Sequence, residues 1–330
     1  MKPPLFWSNP PCAPGWQAQL LRPLSALYAR TTARRVAQSG YRARIPVICV
    51  GNINAGGTGK TPTTIALVQR LIGRGYVPHV VSRGYGGKLE GPVRVDERTH
   101  RADEVGDEPL LIAAFTPTWV AKDRAAGVKA AEAAGADVVI LDDGMQNPSV
   151  QKDVTLIVVD AWRGFGNGRV IPGGPLREPV AAGIARGDAL ISIGDPRAQD
   201  RFSTDWAGSV SIPRAVAQLT TLPTGMDWQG LRALAFAGIG HPEKFFQTLR
   251  ELGADLLRAE ALKDHQPLSL ALMKRLEVEA LALNAQLVTT EKDAVRLPRA
   301  FRLKVVTLPV RLELTDWTEI DRHLTRLKLD

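Results

Sequence analysis

Residues 50–62 of the 330-residue chain read Val-Gly-Asn-Ile-Asn-Ala-Gly-Gly-Thr-Gly-Lys-Thr-Pro. The stretch follows the pattern GxxxxGK[ST], in which backbone N–H groups wrap phosphate oxygens, the lysine reaches the β- and γ-phosphates, and the hydroxyl binds Mg²⁺. Asn54 stands where the first glycine is usual, and asparagine tolerates a positive φ better than most residues. We therefore predict that a nucleotide's phosphates are bound by Asn54, Ala55, Gly56, Gly57, Thr58, Gly59, Lys60 and Thr61.

Apolar runs alternate with helical patterns around this loop. The run 46–50 reads as a buried strand and 63–74 as a helix, which is the strand–loop–helix context that the pattern requires. Further strands are predicted at 77–81, 137–141, 154–159 and 189–193, with a helix at 122–134. The alternation predicts an α/β fold of P-loop NTPase type, a mostly parallel sheet with helices on both faces.

A turn-rich stretch at 222–227 separates this region from a second α/β pattern. In that second pattern we predict strands at 233–237, 286–289 and 304–308, and helices at 243–252 and 268–283. The expected organisation is an N-terminal helical segment at 1–40, a P-loop domain at 41–222 and a smaller C-terminal α/β domain at 223–330, joined by a hinge.

Charge is distributed unevenly along the chain. Residues 1–89 contain twelve basic and no acidic residues, whereas 90–330 contain thirty basic and thirty-four acidic ones. Seven of the twelve precede the loop, so the phosphate site alone does not account for them, and the asymmetry indicates an anionic partner for the N-terminal part. Two cysteines, far apart in sequence, support neither a disulfide framework nor a zinc site.

The N-terminal segment carries a helical stripe of Trp16, Leu20, Leu21, Leu24, Leu27 and Tyr28. Arginines follow the stripe, and tryptophan beside basic residues suits a membrane interface. The alternative is a helix that packs on its own domain. Neither a spanning helix nor a signal peptide is predicted, which places the chain on the cytoplasmic side of the membrane. The candidate membrane residues are Trp7, Trp16, Leu20, Leu24, Arg30, Arg34 and Arg35.

A P-loop needs a second acidic group for Mg²⁺ at the end of a neighbouring apolar strand. Asp142 and Asp143 follow the run 138–141 and meet that description, although two acids before Gly144 can also form a polar turn. Guanine specificity would show NKxD or TKxD. In 290–293, Thr-Glu-Lys-Asp, the lysine comes one place late, so ATP is the expected nucleotide.

A kinase also needs a group that positions or deprotonates the attacking hydroxyl. The acids Asp103, Glu104, Asp107 and Glu108 cluster after the basic, glycine-rich stretch 82–87. A second candidate, His265, lies in the predicted C-terminal domain. An acidic loop cluster is commonly a solvated turn and a lone histidine commonly structural. The residues alone leave this choice open.

Taken together, the motifs resemble the tetraacyldisaccharide 4′-kinase (lipid A 4′-kinase) family. Eight segments carry the resemblance in order along nearly the whole chain. They are VGNINAGGTGKTP (50–62), SRGYGG (82–87), VGDEP (105–109), LDDGMQ (141–146), PLREP (175–179), AGIG (237–240), DH (264–265) and TEKD (290–293).

The resemblance implies MgATP-dependent phosphorylation of the 4′-hydroxyl of an acylated glucosamine disaccharide 1-phosphate, giving lipid IVA, by a peripheral protein on the cytoplasmic face of the bacterial inner membrane. It implies that Asp107 and His265 form a catalytic dyad, with Asp107 as the candidate base and His265 orienting it. Asp142, Asp143 and Glu178 are implied to serve the metal, and they join Thr61 and the catalytic Lys60 of the phosphate-binding loop. Gln146 is expected near the nucleotide, and Arg83 and Tyr85 near the substrate. Many relatives have a second histidine where this chain has Gln266.

Two other functions compete with this interpretation. A membrane-surface P-loop ATPase acting on a protein partner would hydrolyse ATP without an acceptor. A nucleotide-regulated module that binds nucleic acid is disfavoured by the acidic balance of 90–330 and by the scarcity of aromatics among basic residues beyond 41. We expect no nucleic-acid partner and find no sign of an obligate protein partner.

Overall fold

The computed structural model describes residues 3–263 and 266–330. It contains thirteen strands within those ranges. They are β1 (Val47–Gly51), β2 (Pro78–Ser82), β3 (Val93–Arg94), β4 (Thr118–Val120), β5 (Val138–Asp142), β6 (Val154–Asp160), β7 (Ala189–Ile193), β8 (Arg214–Thr221), β9 (Arg232–Ala237), β10 (Asp255–Ala261), β11 (Gln286–Thr290), β12 (Val305–Leu308) and β13 (Val310–Leu314).

The α-helices in the described ranges also number thirteen, and short 3₁₀ turns occur at Leu5–Ser8 and Ala207–Ser209. The helices are α1 (Trp16–Leu20), α2 (Arg22–Val36), α3 (Lys60–Gly73), α4 (Ala102–Val105), α5 (Asp107–Ala113), α6 (Arg124–Ala133), α7 (Val180–Ile184), α8 (Pro196–Trp206), α9 (Pro242–Glu251), α10 (Leu270–Ala282), α11 (Glu291–Ala294), α12 (Arg299–Arg302) and α13 (Thr318–Arg326).

The larger sheet has nine strands in the order β13-β8-β7-β6-β1-β5-β2-β4-β3. Its edge pairs β8–β13 and β3–β4 are antiparallel and its other pairs are parallel. The central strands are apolar and buried throughout, as expected of a sheet covered on both faces. One core lies under α6 and α8 and the other under α3 and α13, which confirms the predicted fold class.

The smaller sheet is fully parallel, in the order β10-β9-β11-β12. Helix α9 covers one face through Phe245, Phe246 and Leu249, and α10 covers the other through Met273 and Leu276. Residues 222–227, where the hinge was predicted, lie outside helices and strands and connect β8 to β9.

The C-terminal residues depart from the predicted boundary of 223–330. Strand β13 pairs with β8, with Leu312 opposite Leu219, and so belongs to the larger sheet. Helix α13 then buries Ile320 and Leu324 in the core that α3 also covers. Residues 310–330 therefore return to the larger unit, because β13 supplies the partner for the edge of β8 and α13 covers apolar surface on that sheet.

Candidate active site

The phosphate-binding loop joins β1 in the middle of the larger sheet to α3, which begins at Lys60. Gly56 and Gly59 have φ values of +112° and +96°, a region that favours glycine. A Cβ on Gly59 would also lie 2.4 Å from the Cδ1 of Ile193. The glycines thus shape a loop whose amide groups, with the start of α3, are suited to phosphate oxygens.

Asn54 was expected to replace the usual glycine because asparagine tolerates a positive φ, but the structure shows a different reason. The described non-glycine residues with positive φ are Asp143, Asn284 and Lys328, so Asn54 does not use that conformation. Its side-chain Nδ2 instead donates a buried hydrogen bond of 3.0 Å to the carbonyl oxygen of Gly164. The amide side chain therefore ties the loop to the chain that follows β6, which a glycine cannot do.

The same neighbouring chain holds the loop through its backbone. Ala55 N donates to Pro175 O at 2.7 Å, and Arg177 N donates to Ile53 O at 2.7 Å. Asn54 and Leu176 form an isolated antiparallel bridge. The stretch 161–178, which we name the bracing segment, thus lies alongside the start of the phosphate-binding loop.

Asn52 is a site residue that the sequence analysis missed. It is fully buried, and its Nδ2 donates to the hydroxyl of Thr58 at 2.9 Å and to Gly56 O at 3.3 Å. Gln146, expected near the nucleotide, donates from Nε2 to Asn52 O at 2.8 Å and to Glu178 Oε1 at 2.9 Å. Both amides support the loop. The sequence feature that could have revealed Asn52 is a polar amide residue directly after the apolar strand β1.

Asp142 ends β5 as a buried carboxylate. Ser82, at the end of β2, donates its hydroxyl to Oδ2 at 3.1 Å, and Thr64 of α3 lies 3.5 Å from Oδ1. Burial, followed by the negative charge of Glu108, raises the pKa of Asp142 to about 7, while Lys60 opposes the shift. Asp142 is therefore a buried acid that a nearby divalent cation would ionise.

Asp143 lies in the opposite electrostatic environment. Its backbone has φ of +53°, and Arg177 contacts both oxygens, with Nη1–Oδ1 2.9 Å and Nη2–Oδ2 3.3 Å. Lys60 Nζ lies 3.8 Å from Oδ1. Burial favours the neutral acid, but Lys60 and Arg177 together outweigh it and hold the pKa of Asp143 below its usual value. Neighbouring acids with pKa values pushed in opposite directions are typical of catalytic sites.

Of the four residues predicted to serve Mg²⁺, three lie close together. Thr61 is buried in the first turn of α3, and the acid pair lies beside Lys60. Hydroxyl and carboxylate oxygens are hard donors that suit Mg²⁺, which takes few protein ligands and completes its shell with phosphate and water. In the described ranges no set of three or more His, Cys, Asp or Glu side chains is arranged to hold a metal.

Glu178 is engaged elsewhere. Arg186 Nη2 donates to its Oε1 at 2.6 Å and also contacts its other oxygen, and Gln146 donates to Oε1. The carboxylate is buried with these partners. Its contacts place it beneath the loop with Gln146 rather than beside Asp142, so we do not extend the metal role to Glu178.

The segment with Asp107 packs directly on the glycine-rich stretch 82–87. A Cβ on Gly106 would lie 2.8 Å from Tyr85 O, and one on Gly87 would lie 2.6 Å from Glu104 O, so the glycines allow the two backbones to touch. Asp107 is buried at the start of α5, and its Oδ1 accepts from Glu108 N at 3.0 Å. Ser82, which begins this stretch, donates its hydroxyl to Asp142, so the packing of Gly106 against the same stretch brings the start of α5 near the acid pair.

Arg83, Tyr85 and His265 are the remaining residues that were predicted near the substrate and the base. Arg83 and Tyr85 are exposed on the stretch 82–87, with Tyr85 71% accessible. His265, the predicted partner of Asp107, lies outside the described residues. Beside it in sequence, Gln266 accepts at Oε1 from Lys263 N at 3.0 Å, so its side chain closes a turn.

A family model described as tetraacyldisaccharide-1-P 4'-kinase matches residues 17–328. The chain belongs to this family.

Individual members of the tetraacyldisaccharide-1-P 4'-kinase family match along their whole length. Tetraacyldisaccharide 4'-kinase from Dinoroseobacter shibae is 63% identical over 329 residues, covering 99% of this chain and 98% of that protein. The protein of the same name from Jannaschia sp. (strain CCS1) is 59% identical, with 99% of each covered. A crystal structure of LpxK from Aquifex aeolicus in complex with ATP has the same fold, with a TM-score of 0.74 at 23% identity over 94% of this chain and 99% of that one.

Membership of the tetraacyldisaccharide-1-P 4'-kinase family confirms the prediction made from the eight sequence segments. It favours a lipid A 4′-kinase over the alternative of an ATPase that acts on a protein partner. In the described part of the chain, none of the helices has the length and apolar character needed to cross a bilayer.

Restoring the usual glycine with Asn54→Gly should weaken the loop rather than improve it. The variant loses the hydrogen bond to Gly164 O and leaves that carbonyl without this donor, which costs about 1–3 kcal/mol. Urea unfolding and the KM for ATP measure the two consequences, and both should worsen. Ala55→Gly, the matched control, adds backbone freedom but removes no side-chain hydrogen bond. Equal stability of Asn54→Gly and wild type would contradict this role.

Asp142→Asn should change how stability depends on pH. Because the pKa rises from 3.8 to about 7, the folded state binds a proton that the unfolded state has lost, and this carboxyl makes unfolding easier as pH rises between those values. The neutral amide of the variant does not titrate, so this decrease in the free energy of unfolding with rising pH disappears. Urea unfolding in EDTA should therefore show a larger gain for the variant at about pH 8 than at about pH 5.

Asp200→Asn, at an exposed carboxyl on α8, is the control for this comparison. It should show no such difference between the two pH values. The same stability change for Asp142→Asn at both would contradict the raised pKa.

Proposed function

We propose that this chain transfers the γ-phosphate of ATP to the 4′-hydroxyl of an acylated glucosamine disaccharide 1-phosphate, forming lipid IVA. One observation carries the proposal. The phosphate-binding loop, the acids Asp142 and Asp143, and the start of α5 lie together at one edge of the larger sheet. The relatives' shared name, tetraacyldisaccharide 4'-kinase, supplies the substrate class.

The donor half of the site is formed by the loop and Lys60. Loop amides and the start of α3 bind phosphate oxygens, and Lys60 moves from Asp143 toward the β- and γ-phosphates when ATP enters. Asp143 stays ionised by pairing with Arg177. Mg²⁺, held by Thr61 and Asp142 and served by Asp143, would neutralise charge that develops on the transferring phosphoryl group.

The acceptor half of the site is assigned to Asp107. Its buried carboxylate at the start of α5 receives the proton of the attacking hydroxyl, with His265 as its orienting partner. Arg83 and Tyr85 are exposed on the stretch packed against Gly106, where they can contact the substrate's anionic or sugar groups. Phosphoryl transfer needs mainly positioning and charge stabilisation, which these two halves provide.

Substitutions in the two halves should have separable effects. Asp107→Ala should lower kcat by about 100-fold or more with little change in the KM for ATP, because it removes the base but no phosphate contact. Lys60→Ala should lower kcat and also raise the KM for ATP. Transfer of labelled γ-phosphate to the disaccharide 1-phosphate in detergent micelles measures both.

Asp103→Ala is the matched control, because this acid of the same cluster is half exposed and pairs with Lys88 and Arg101. It should retain wild-type turnover. Near-normal turnover of Asp107→Ala would refute the base assignment and leave the kinase assignment intact.

The N-terminal helices support attachment to an anionic membrane surface. Trp16 and Leu20 are each 71% exposed, and Leu24 and Leu27 are more than half exposed. The face that packs on the protein carries the small side chains Ala18, Ser25 and Thr32, together with the partly buried Tyr28. Trp16 and the three leucines point away from the body, and this exposed apolar face suits a lipid interface.

Basic residues accompany this apolar face. Arg30, Arg34 and Arg35 are exposed near the end of α2, where they can reach anionic head groups. Trp7, in contrast, is partly buried and donates from Nε1 to Pro172 O at 3.1 Å, so it anchors the segment to the protein. We assign lipid contact to the helices, without Trp7, on the cytoplasmic face of the inner membrane.

Replacing two of the exposed leucines should reduce membrane binding without unfolding the protein. Leu20→Gln/Leu24→Gln removes apolar contact worth about 1.5–3 kcal/mol per side chain, so binding to anionic vesicles should fall by at least about 10-fold. Vesicle co-sedimentation over a range of salt concentrations measures this, and wild-type binding should weaken as salt increases. Leu281→Gln, at an equally exposed leucine of α10, is the control. Unchanged binding of the double variant would rule out this membrane surface.

A further inference from the structure

The stretch Thr-Glu-Lys-Asp at 290–293 lies where the smaller unit contacts the larger one. It links the end of β11 to α11 in the smaller unit, and we name it the junction motif. Thr290 caps α11 by accepting from Asp293 N at 3.1 Å. The other three side chains each contact a different part of the molecule.

Asp293 holds the smaller unit together. It is fully buried, and its two oxygens accept from Gly238 N at 3.1 and 3.0 Å and from the Thr290 hydroxyl at 2.7 Å. It also pairs with Arg296, whose Nη1 donates to Gln266 O at 3.2 Å. This acid therefore joins α11 to the turn after β9 and, through Arg296, to the chain just after His265 in sequence.

Glu291 and Lys292 point out of the smaller unit. Glu291 Oε2 accepts from Arg311 Nη1 at 2.7 Å and from Val310 N at 3.2 Å, and both of these residues belong to β13 of the larger sheet. Lys292 Nζ lies 3.1 Å from Glu108 Oε1 on α5, and both side chains are only about a quarter exposed. Adjacent residues of the junction motif thus bind the larger unit at two separate places.

The contact with Glu108 lies next to the proposed base. Asp107 and Glu108 form the first turn of α5, and Asp107 Oδ1 accepts from Glu108 N. A shift of this turn relative to the smaller unit would move the base away from the attacking hydroxyl, and displacements near 1 Å can cost about 100-fold in rate.

We propose that Lys292 is a positioning residue, which fixes the first turn of α5 against the smaller unit through its ion pair with Glu108 and so sets the geometry of Asp107 for phosphoryl transfer. The proposal rests on the proposed function of Asp107. Lys244 also connects the two units, because it pairs with Asp160 at 3.4 Å. Its side chain is 60% exposed, however, and an ion pair of such a residue contributes little to holding the units in place.

The test compares Lys292→Met, which keeps the side-chain length without the charge, with Lys292→Arg, which keeps the charge. Lys292→Met should lower kcat by about 10- to 100-fold and leave the KM for ATP and the melting temperature near wild type, since the phosphate-binding loop is not touched. Lys292→Arg should recover most of the lost turnover. Lys304→Met, which breaks the pair with Glu277 inside the smaller unit, should behave as wild type.

Several results would overturn the proposal. Wild-type kcat for Lys292→Met, measured beside an inactive Asp107→Ala, would refute the positioning role and leave the base assignment standing. Parallel losses of kcat, ATP affinity and melting temperature would show a general structural role instead. Failure of Lys292→Arg to exceed Lys292→Met would refute the ion pair as the cause. An active Asp107→Ala, in contrast, would refute the role of Asp107 as base, on which the proposal rests, and leave the kinase assignment intact.

Discussion

The active site depends on keeping two adjacent carboxylates in different electrostatic states. Asp142 ends the buried strand β5 and Asp143 follows it directly, so two neighbouring negative charges there would repel each other strongly. The backbone of Asp143 turns to a positive φ, so its carboxylate meets Arg177 and Lys60, while Asp142 stays among hydroxyl groups. The pKa of Asp143 is thereby lowered, whereas burial raises the pKa of Asp142 to about 7. The phosphate-binding loop, the bracing segment and α5 all lie around these two acids.

Sheet order explains why residues so distant in sequence meet here. Strand β1 is central, with β5 on one side and β6 on the other, and the chain leaves the three strands at the same edge because they are parallel. Ligands of open α/β sheets bind at such an edge, where connections diverge to opposite sides. The bracing segment follows β6 and the acid pair ends β5, so both reach the loop after β1. Asn54 joins the loop to that segment, which is why it replaces a glycine.

Features set by local sequence were predictable and features set by distant partners were not. The strands β1, β5, β6 and β7 agree with their predicted ranges within one residue, because buried parallel strands need no partner to be recognised in sequence. Helix α3 was also predicted, although it begins three residues before the predicted start at 63. The return of β13 was missed, since nothing in its sequence specifies pairing with β8, some ninety residues earlier. Strand β10, at the edge of the smaller sheet, was missed because none of its residues is fully buried and three of its seven residues are charged.

The same distinction applies to the site. The motif pattern predicted roles for Lys60, Thr61 and both acids, but the contacts that Arg177 and Ser82 make with those acids are visible only in the fold. The role of Asn54 was misread because sequence suggests a backbone explanation where a side-chain contact is the cause. His265 was predicted by resemblance, and its role stays a prediction.

The arrangement of the phosphate-binding loop, the acid pair and α5 delivers a phosphate to a sugar hydroxyl and not to water. Phosphorus NMR can follow the products when purified protein reacts with MgATP and the acylated disaccharide 1-phosphate in micelles. We expect one new phosphomonoester at the 4′ position, formed in equal amount to ADP. Formation of ADP with inorganic phosphate and an unchanged disaccharide would show that water is the acceptor instead.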